Sequence, residues 1–366
     1  MDMYIPIMKN RDEEIRVIQT MNEYFSDSII PLIEIYKDFY LTQYKKDEAG
    51  NFLYEKKPNS KKRNRIKLPP TEADIITLKH IEKILKGKKA FIDFFRFSAN
   101  EYDDSRSFNN VELSIHLSRD FAYYKTRMLD IGNYENLIPV ISIKEGFSIS
   151  EFDLIRLINQ LKESNSSISI RITDSFFDEF EEVFEQHLTE NDYLMLDIRN
   201  QNIDSKFIEL EEFRDFETDA KKILLNSPRS RKIKNGDYEH LEFTKKINNK
   251  ASILYKHYKL DGFGDFGGLK DDLPVNAGGG PMGTALALIY CKEVNAFYSI
   301  KHNDSSAGVR GYRFVRNDVL LRISYFDPTR SCSAIQKIEC MEDKFGTWKT
   351  WNNITLTRYI EEQATK

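Results

Sequence analysis

The chain has 366 residues, of which 40% are hydrophobic and 31% are charged, and its formal net charge is −4. This composition is typical of a folded protein with a large core, and it excludes disorder over most of the chain. The nearly balanced charge excludes a general attraction to nucleic acid or to anionic membranes, so any such contact has to be local.

The first 30 residues contain no basic segment followed by an apolar one, and no run of about 18 apolar residues occurs anywhere. We therefore expect a cytoplasmic protein without membrane contact. The three cysteines, Cys291, Cys332 and Cys340, lack CxxC spacing, which predicts reduced thiols. The six histidines are scattered without HxH or HExxH spacing, so no metal site is expected, and the sequence leaves the cofactor unknown.

Short apolar runs alternate with segments of helical periodicity along the first 268 residues. The runs are YIPIMK (4–9), IIPLIEI (29–35), AFIDFFRF (90–97), LIPVISI (137–143), SISIRIT (167–173), YLMLDIR (193–199), KILLNSPR (222–229) and LDGFGDFGG (260–268). Thr71 is predicted to cap the helix that precedes the third run. One long amphipathic segment is predicted over 110–129, and Ser148 or Ser150 is predicted to cap the helix after the fourth run.

This alternation predicts parallel strands, because a helical crossover returns the chain to the same end of a sheet. The runs are apolar on both faces, as strands are when helices cover the sheet. Eight such units predict an α/β fold, a (β/α)8 TIM-like barrel. An open doubly wound sheet is the alternative.

Proline marks three of the runs, at Pro6, Pro31 and Pro139. Because proline cannot donate to a sheet ladder, we expect it at the start of a strand. Charged residues lie towards the other end of the runs. The predicted strands therefore share a direction, and their ionisable residues gather at the carboxyl-terminal face, where barrels bind ligands.

Two segments depart from the alternation. Residues 38–70 form a long insertion after the second strand, and the chain beyond Leu269 predicts a smaller α+β cap. We therefore expect a barrel over 1–268 and a cap subdomain over 269–366, which can pack on the mouth of the barrel.

The strand-end charges form the strongest candidate site. They are Lys9, Glu34, Asp93, Arg96, Lys144, Glu145, Arg171, Asp197, Arg199 and Arg229. Buried ions are costly unless they are paired, so the ring requires an explanation. In the functional interpretation, anionic substrate is bound by Lys9, Arg96, Lys144, Arg171, Arg199 and Arg229, and general bases are supplied by Glu34, Asp197 and Asp265. In the other interpretation, the ions pair with one another and close the barrel.

Two further segments could contact phosphate. The stretch 261–283 is rich in glycine, but it is neither a Walker loop nor a dinucleotide fingerprint, and a flexible connector to the cap is the favoured interpretation. The run KKPNSKKRNRIK (56–67) contains seven basic residues without interleaved aromatics. Its Lys61, Lys62, Arg63 and Arg65 are predicted to contact nucleic acid, with a solvated loop as the alternative.

The combination of YIPIMK, IIPLIEI, LMLDIR and GFGDFGG with the tail WKTWNNITLTRYI resembles the phage beta protein family, which also occurs in bacterial chromosomes. The resemblance covers almost the whole chain. It implies no catalytic residues, and it implies a role in phage–host conflict. Many members have paired histidines in the tail, whereas this chain has Asn352 and Asn353, so no histidine site is expected there.

Two functional hypotheses follow. In the first, the barrel acts in phage–host conflict, as an antiphage defence component, by binding a protein partner encoded nearby or a nucleic acid through the loop 56–67. In the second, the barrel is a hydrolase or transferase acting on a phosphorylated or other anionic substrate, such as a nucleotide, held by an arginine clamp beside a carboxylate base. The sequence leaves open whether the protein is an enzyme.

Overall fold

The structure, a computed structural model, describes residues 2–56, 62–97, 111–273 and 283–364. Eight parallel strands close into a barrel. In their order around the barrel these strands are β1 (Met3–Lys9), β2 (Leu32–Glu34), β5 (Ala90–Asp93), β6 (Leu137–Ile143), β7 (Ser169–Thr173), β8 (Tyr193–Asp197), β9 (Lys221–Leu225) and β11 (Gly262–Asp265). The predicted TIM-like barrel is confirmed, and an open sheet is excluded.

Helices surround the barrel and bury one face each against its strands. They are α1 (Asp12–Thr20), α2 (Thr77–Leu85), α3 (Glu112–Arg119), α4 (Phe121–Leu129), α5 (Glu151–Lys162), α6 (Glu181–His187), α7 (Phe207–Asp215) and α8 (Ala251–His257). None of the helices in the described ranges combines the length and the apolar character needed to cross a membrane.

Polar side chains determine where several helices begin. Ser150 accepts a hydrogen bond of 3.1 Å from the backbone N–H of Asp153 and caps α5, as predicted. Thr71 caps a short 3-10 turn instead of α2, which begins only at Thr77. The segment predicted as one helix is divided at Asp120, because its carboxylate caps α4 by accepting from the N–H of Tyr123 at 2.9 Å.

The prediction that prolines mark strand starts is wrong for two of the three. Pro6 is the fourth of seven residues in β1, and Pro139 is the third of seven in β6. Strand β1 pairs with β11 up to Pro6 and with β2 from Ile7 onwards. Pairing of β6 passes from β5 to β7 directly after Pro139 in the same way. The missing N–H therefore falls where a strand changes its partner, a place at which a ladder tolerates proline.

Beyond the barrel, an antiparallel sheet and four helices form a second core. They are β10 (Glu242–Phe243), β12 (Leu286–Cys291), β13 (Ala296–Lys301), α9 (Gly311–Leu321), α10 (Ile323–Phe326), α11 (Ser333–Glu339) and α12 (Trp348–Ala364). Helix α12 contributes Trp351 and Ile354 to this core and Leu356, Tyr359 and Ile360 to the core of the barrel. The division at residue 268 stays a proposal, because α12 packs on both α1 and β12.

The described part of the glycine-rich connector is buried between these two cores. Gly267 and Gly268 have φ angles of +56° and +81°. A Cβ on Gly268 would lie 2.5 Å from the ring of Phe297, so glycine is required there for close approach as well as for the turn. Residues 274–282, which include most of the predicted AGGGPMG segment, lie outside the described residues.

Candidate functional site

The strand-end charges meet inside one end of the barrel. Lys9, Glu34 and Asp93 occupy matched positions on the adjacent strands β1, β2 and β5. Each is at most 1% exposed, and the Lys9 ammonium pairs directly with the Glu34 carboxylate. These three residues therefore converge at one end of the barrel, as predicted.

Arg171, on β7, is the centre of this cluster. Its Nη1 donates to Glu34 Oε1 at 2.8 Å and to Asp93 Oδ2 at 3.0 Å, and its Nε donates to Asp197 Oδ2 at 2.8 Å. Ser142 adds a hydroxyl that donates to Asp93 Oδ2 at 2.6 Å. One guanidinium thus holds three carboxylates from three strands, a use to which its planar fork of donors is suited.

Asp271, in the segment after β11, is a residue that the sequence did not indicate. Its carboxylate lies 2.8 Å from Lys9 Nζ, 3.2 Å from Arg199 Nη2 and 2.9 Å from Arg231 Nη2. It therefore closes a chain of ion pairs that continues from Lys9 through Glu34 to Arg171. Its position shortly after β11, on the side of the barrel where the other charges gather, was the one feature of the sequence that could have indicated it.

Phe95 lies among the cations of this cluster and was also missed. The Lys144 ammonium is 3.8 Å from the centre of the Phe95 ring, and Lys9 is 5.2 Å from it. The guanidinium carbons of Arg171 and Arg199 are 5.7 and 5.6 Å from the same centre. Phe95 lies two residues beyond Asp93, the last residue of β5, and its ring is directed to the same cluster of charges.

The charges adjust one another's pKa values. Burial would raise the pKa of Glu34, but the charges of Lys9 and Arg171 lower it overall. Lys9, Arg199 and Arg231 likewise outweigh burial and hold the pKa of Asp271 well below its usual range. Burial dominates at Asp93, whose pKa is raised although Arg171 opposes the shift. Glu34 and Asp271 are consequently stable anions and weak bases.

Little space remains among these side chains. A cavity of about 10 Å³ lies beside Phe95, Arg171 and Arg199, which is room for about one water molecule. Among the described residues, Asp93 Oδ1 and Arg171 Nη2 are buried without a hydrogen-bond partner, although Nη2 lies 2.7 Å from Asp197 Oδ2. The described part of the barrel mouth is therefore an interlocked set of ion pairs, which we call the ion-pair ring, and the space beside it is small.

Two predicted substrate-binding residues lie outside the ion-pair ring. Arg96 donates to the carbonyl of Ser142 at 2.9 Å and its guanidinium carbon lies 4.1 Å from the centre of the Tyr124 ring. Arg229 donates to Tyr238 Oη and to the carbonyl of Gly268, both at 3.0 Å. Both arginines are buried and engaged in holding neighbouring segments together.

Asp265 also lies outside the ring, between β1 and α12. Its Oδ1 accepts from Tyr4 Oη at 3.2 Å and from the N–H of Gly267 at 2.8 Å. Its Oδ2 lies 2.8 Å from Tyr359 Oη, which is also 3.0 Å from Asn249 Oδ1. The preceding Gly264 faces the interior, so the alternation along β11 turns Asp265 outwards. The structure therefore places Asp265 apart from Glu34 and Asp197, the other two residues predicted as general bases.

Protonation of this carboxyl would add one hydrogen bond to the Asp265 network. Tyr359 has a single hydroxyl proton, which can be donated either to Asp265 or to Asn249. A protonated Asp265 donates to Tyr359, and Tyr359 then donates to Asn249. Burial raises the pKa of Asp265 to about 6, although hydrogen bonds from Gly267, Tyr359 and Tyr4 oppose the shift.

Asp265→Asn is expected to change how stability depends on pH. The folded pKa of about 6 exceeds that of an unfolded aspartate, about 3.9, so only the folded state holds this proton between these values. The contribution of this group is complete below about pH 4 and is lost as the pH rises to about 6, by roughly 2 to 3 kcal/mol. Asparagine mimics the neutral carboxyl and removes this loss.

Urea unfolding of both proteins between pH 4 and pH 8 measures the effect. The free energy of unfolding of the variant, minus that of the wild type, should increase up to about pH 6 and then level off. Exposed Asp237→Asn is the control for the loss of one carboxylate at the surface, and the difference curves of the two variants should diverge between pH 4 and pH 6. A flat difference for Asp265→Asn would contradict the protonated state.

The insertion after β2 folds into a second candidate site, a small β structure that we call the basic hairpin (residues 43–56 and 62–68). Its strands β3 (Tyr54–Lys56) and β4 (Arg63–Arg65) pair antiparallel. A third extended segment joins them through bridges between Tyr44 and Lys67 and between Lys46 and Phe52. It contains seven exposed basic residues, Lys45, Lys46, Lys56, Lys62, Arg63, Arg65 and Lys67, against three acidic ones. Lys61 lies outside the described residues.

Aromatic side chains lie against the cations of the basic hairpin. The guanidinium carbon of Arg65 is 4.0 Å from the centre of the Phe52 ring and 5.6 Å from that of Tyr44. Tyr54 is 52% exposed. The sequence indicated a basic run without aromatics, because these rings come from the segments that fold back onto it. The pairing of β3 and β4 brings aromatic and cationic groups to one exposed surface.

Comparison with known proteins identifies a family over nearly the whole chain. The family model described as Beta protein matches residues 4–365. No curated protein sequence matches. Among solved structures, the chain is similar to the crystal structure of dihydropteroate synthase from Anaplasma phagocytophilum with bound 6-hydroxymethylpterin-monophosphate. The identity is 8%, the match covers 72% of this chain and 93% of the other, and the TM-score of 0.26 is too low to support an argument.

Proposed function

Because the chain belongs to the Beta protein family, we propose that it acts in phage–host conflict, the role that its resemblance to phage beta proteins implies, by binding nucleic acid through the basic hairpin. The observation that carries this proposal is the exposed surface of seven basic side chains within residues 43–56 and 62–68. The positive charge is confined to this surface, and a protein with a net negative charge can bind a polyanion through such a local patch.

The charge of the hairpin is suited to a phosphate backbone. Its basic side chains are exposed on both β3 and β4 and on the segment that pairs with them. Long cationic side chains on such a ribbon contact phosphates without reading the base sequence, and the binding weakens as salt is raised. The insertion also leaves the barrel after β2, at the end where (β/α)8 barrels place their variable binding loops.

The ion-pair ring has features that disfavour a catalytic role. Glu34, proposed as a base, is ion-paired to Lys9 and Arg171, and its pKa is lowered. A general base works best with a pKa near the operating pH. The adjacent cavity of about 10 Å³ is far smaller than the roughly 300 Å³ of an ordinary ligand pocket. A catalytic role of Glu34, Asp197 or Asp265 is therefore the weaker proposal.

Substitution of three hairpin cations tests the proposal. The variant Lys56→Ala/Arg63→Ala/Arg65→Ala is expected to raise the Kd for single-stranded RNA or DNA at least about tenfold, since it removes up to three cations that pair with phosphate. The slope of log K against log salt should decrease by about 0.7 for each phosphate of a single strand that the variant no longer neutralises. Fluorescence anisotropy with labelled RNA, single-stranded DNA and duplex DNA measures both quantities.

The matched control removes three exposed cations from other elements, Arg156, Lys245 and Lys349. It changes the net charge equally and should leave Kd nearly unchanged. Circular dichroism and thermal melting should be those of the wild type in both variants, because the substituted side chains are exposed. Equal weakening by the two variants, or no binding by the wild type, would refute a nucleic-acid interface at the hairpin and favour a protein partner.

A further inference from the structure

A groove of about 310 Å³ lies between α2 and α4, on the side of the barrel. Its walls include Ile75, Ile76, Tyr123, Thr126, Asn133 and Tyr134. The volume is close to the lower end of the range for small-molecule sites, about 300 to 1,000 Å³, so it suits one planar group.

Backbone pairing joins the wall of the groove to the segment that leads into the basic hairpin. The segment that enters the hairpin pairs with the segment that lines the groove, through a bridge between Tyr40 and Ile75. The N–H of Leu41 donates to the carbonyl of Asp74 at 2.8 Å, and the N–H of Ile76 donates to the carbonyl of Phe39 at 2.8 Å. Tyr40 and Leu41 are 43% and 54% exposed, so an aromatic and apolar surface connects the two sites.

The walls of the groove have the chemistry that holds an unstacked base. Tyr134 is half-buried, with a ring suited to stacking. Asn133 is exposed, and its Nδ2 donates to the carbonyl of Asp130 at 3.1 Å, which leaves the amide oxygen and the second Nδ2 proton to pair with a base edge. Tyr123 is fixed, because its ring stacks on His116 at 3.9 Å and its hydroxyl accepts from Arg127 at 3.1 Å. Arg127 is itself held by Asp38 at 2.8 and 2.9 Å, so this wall is rigid before any ligand binds.

We propose that the groove between α2 and α4 receives one unstacked base of a single-stranded nucleic acid whose backbone is held by the basic hairpin. This inference rests on the proposed function and specifies its ligand as a single strand. A base inside a duplex is stacked on its neighbours and cannot enter such a groove without being extruded. The surface therefore combines a cationic track with a stacking site, as single-strand binders do.

Two groove variants test the inference by different routes. Tyr134→Ala removes the stacking ring, and Thr126→Trp fills the groove from an exposed helical position without deleting any part of the core. Each is expected to raise the Kd for a single-stranded oligonucleotide of about 12 residues roughly tenfold, the effect of losing one stacked base. Neither variant should change the Kd for an abasic strand of the same length, because the hairpin contacts phosphate. Parallel RNA and DNA strands distinguish the two sugars.

Tyr325→Ala, which removes a tyrosine that is 61% exposed on the cap, is the matched control and should bind as the wild type does. If both groove variants bind normal and abasic strands as the wild type does, while the triple hairpin variant loses affinity, the groove is not a base site and the proposed function stands. If the hairpin variant also binds normally, the proposed function fails and this inference fails with it.

Discussion

Replacement of Arg171 by methionine is expected to lower the free energy of unfolding by about 3 to 5 kcal/mol, the usual cost of removing one partner from a buried ion pair. The substitution leaves Glu34, Asp93 and Asp197 without their shared guanidinium, and each of these carboxylates is at most 2% exposed. Uncompensated buried anions must then either remain charged or take up protons. Urea unfolding, followed by fluorescence and circular dichroism, measures the change.

The direction in which pH changes the effect of Arg171→Met on the free energy of unfolding can also be predicted. In the wild type, Lys9 and Arg171 hold the pKa of Glu34 below its usual value, so this group stabilises the folded state above the unfolded pKa of about 4.3 and less as the pH falls through the folded value. Without Arg171, the variant should lose less than the wild type on acidification. Arg171→Met with Asp197→Asn should cost less than the sum of the single substitutions, since the two groups are coupled.

Arg214→Met provides the matched control, because Arg214 pairs with Asp215 at the protein surface at 2.7 Å. Surface ion pairs contribute little, so its unfolding curve should superimpose on that of the wild type. If Arg171→Met behaved like Arg214→Met, the ion-pair ring would not be a structural element. Arg171→Lys keeps the charge and loses the fork, and it should lie between the wild type and the methionine variant.

Phe95→Ala is expected to have a similarly large effect, a loss of about 3 to 5 kcal/mol, because it deletes a ring that is 1% exposed. Phe95→Leu separates apolar burial from the interaction with cations. Leucine keeps most of the volume, at a cost below about 1.5 kcal/mol, but it has no aromatic ring to attract the four surrounding cations. The absence of this attraction should add roughly 1 to 2 kcal/mol to the cost.

Phe184→Leu is the appropriate comparison. Phe184 is fully buried and packs against Phe177 and Phe180, with ring centres 6.1 Å apart in both cases. Its surroundings are apolar, so its replacement should cost only the change in packing. Equal losses for Phe95→Leu and Phe184→Leu would show that the cations do not interact measurably with Phe95.

These effects bear on where function resides in this barrel. The carboxyl-terminal face of a (β/α)8 barrel usually carries the active site. Here the described part of that face is occupied by an interlocked set of ion pairs, and a cluster of exposed cations lies on the insertion after β2. A stable ion-pair ring beside the exposed basic hairpin agrees with the binding role proposed above.

The barrel was predictable because each of its units is encoded locally. All eight predicted strand runs contain a strand of the barrel, and helices fill the intervals between them. The convergence of Lys9, Glu34, Arg171 and Asp197 also follows from topology, since parallel strands bring their ends together. Boundaries were less well determined. The segment 110–129 has one continuous amphipathic pattern, yet the local hydrogen bond of Asp120 divides it.

The facing of individual side chains was not predictable. Strands that are apolar on both sides give no alternating pattern, so the sequence does not indicate whether Asp265 or Gly264 faces the interior. Pairing of β1 with β11 decides the matter and turns Asp265 towards Tyr359, 94 residues later in the chain. Phe95, Arg96 and Arg229 were misplaced or missed for the same reason.

The sequence by itself determined the class of fold, the order of its strands and the end at which the charges gather, because these depend on local periodicity and on the handedness of parallel crossovers. Only the tertiary structure decided which charges pair with one another, which rings lie beside the cations of residues 56–67, and which strand α12 covers. Those arrangements depend on register and on contacts between distant segments, because a shift of a single residue in register turns every side chain of the shifted strand to the opposite face.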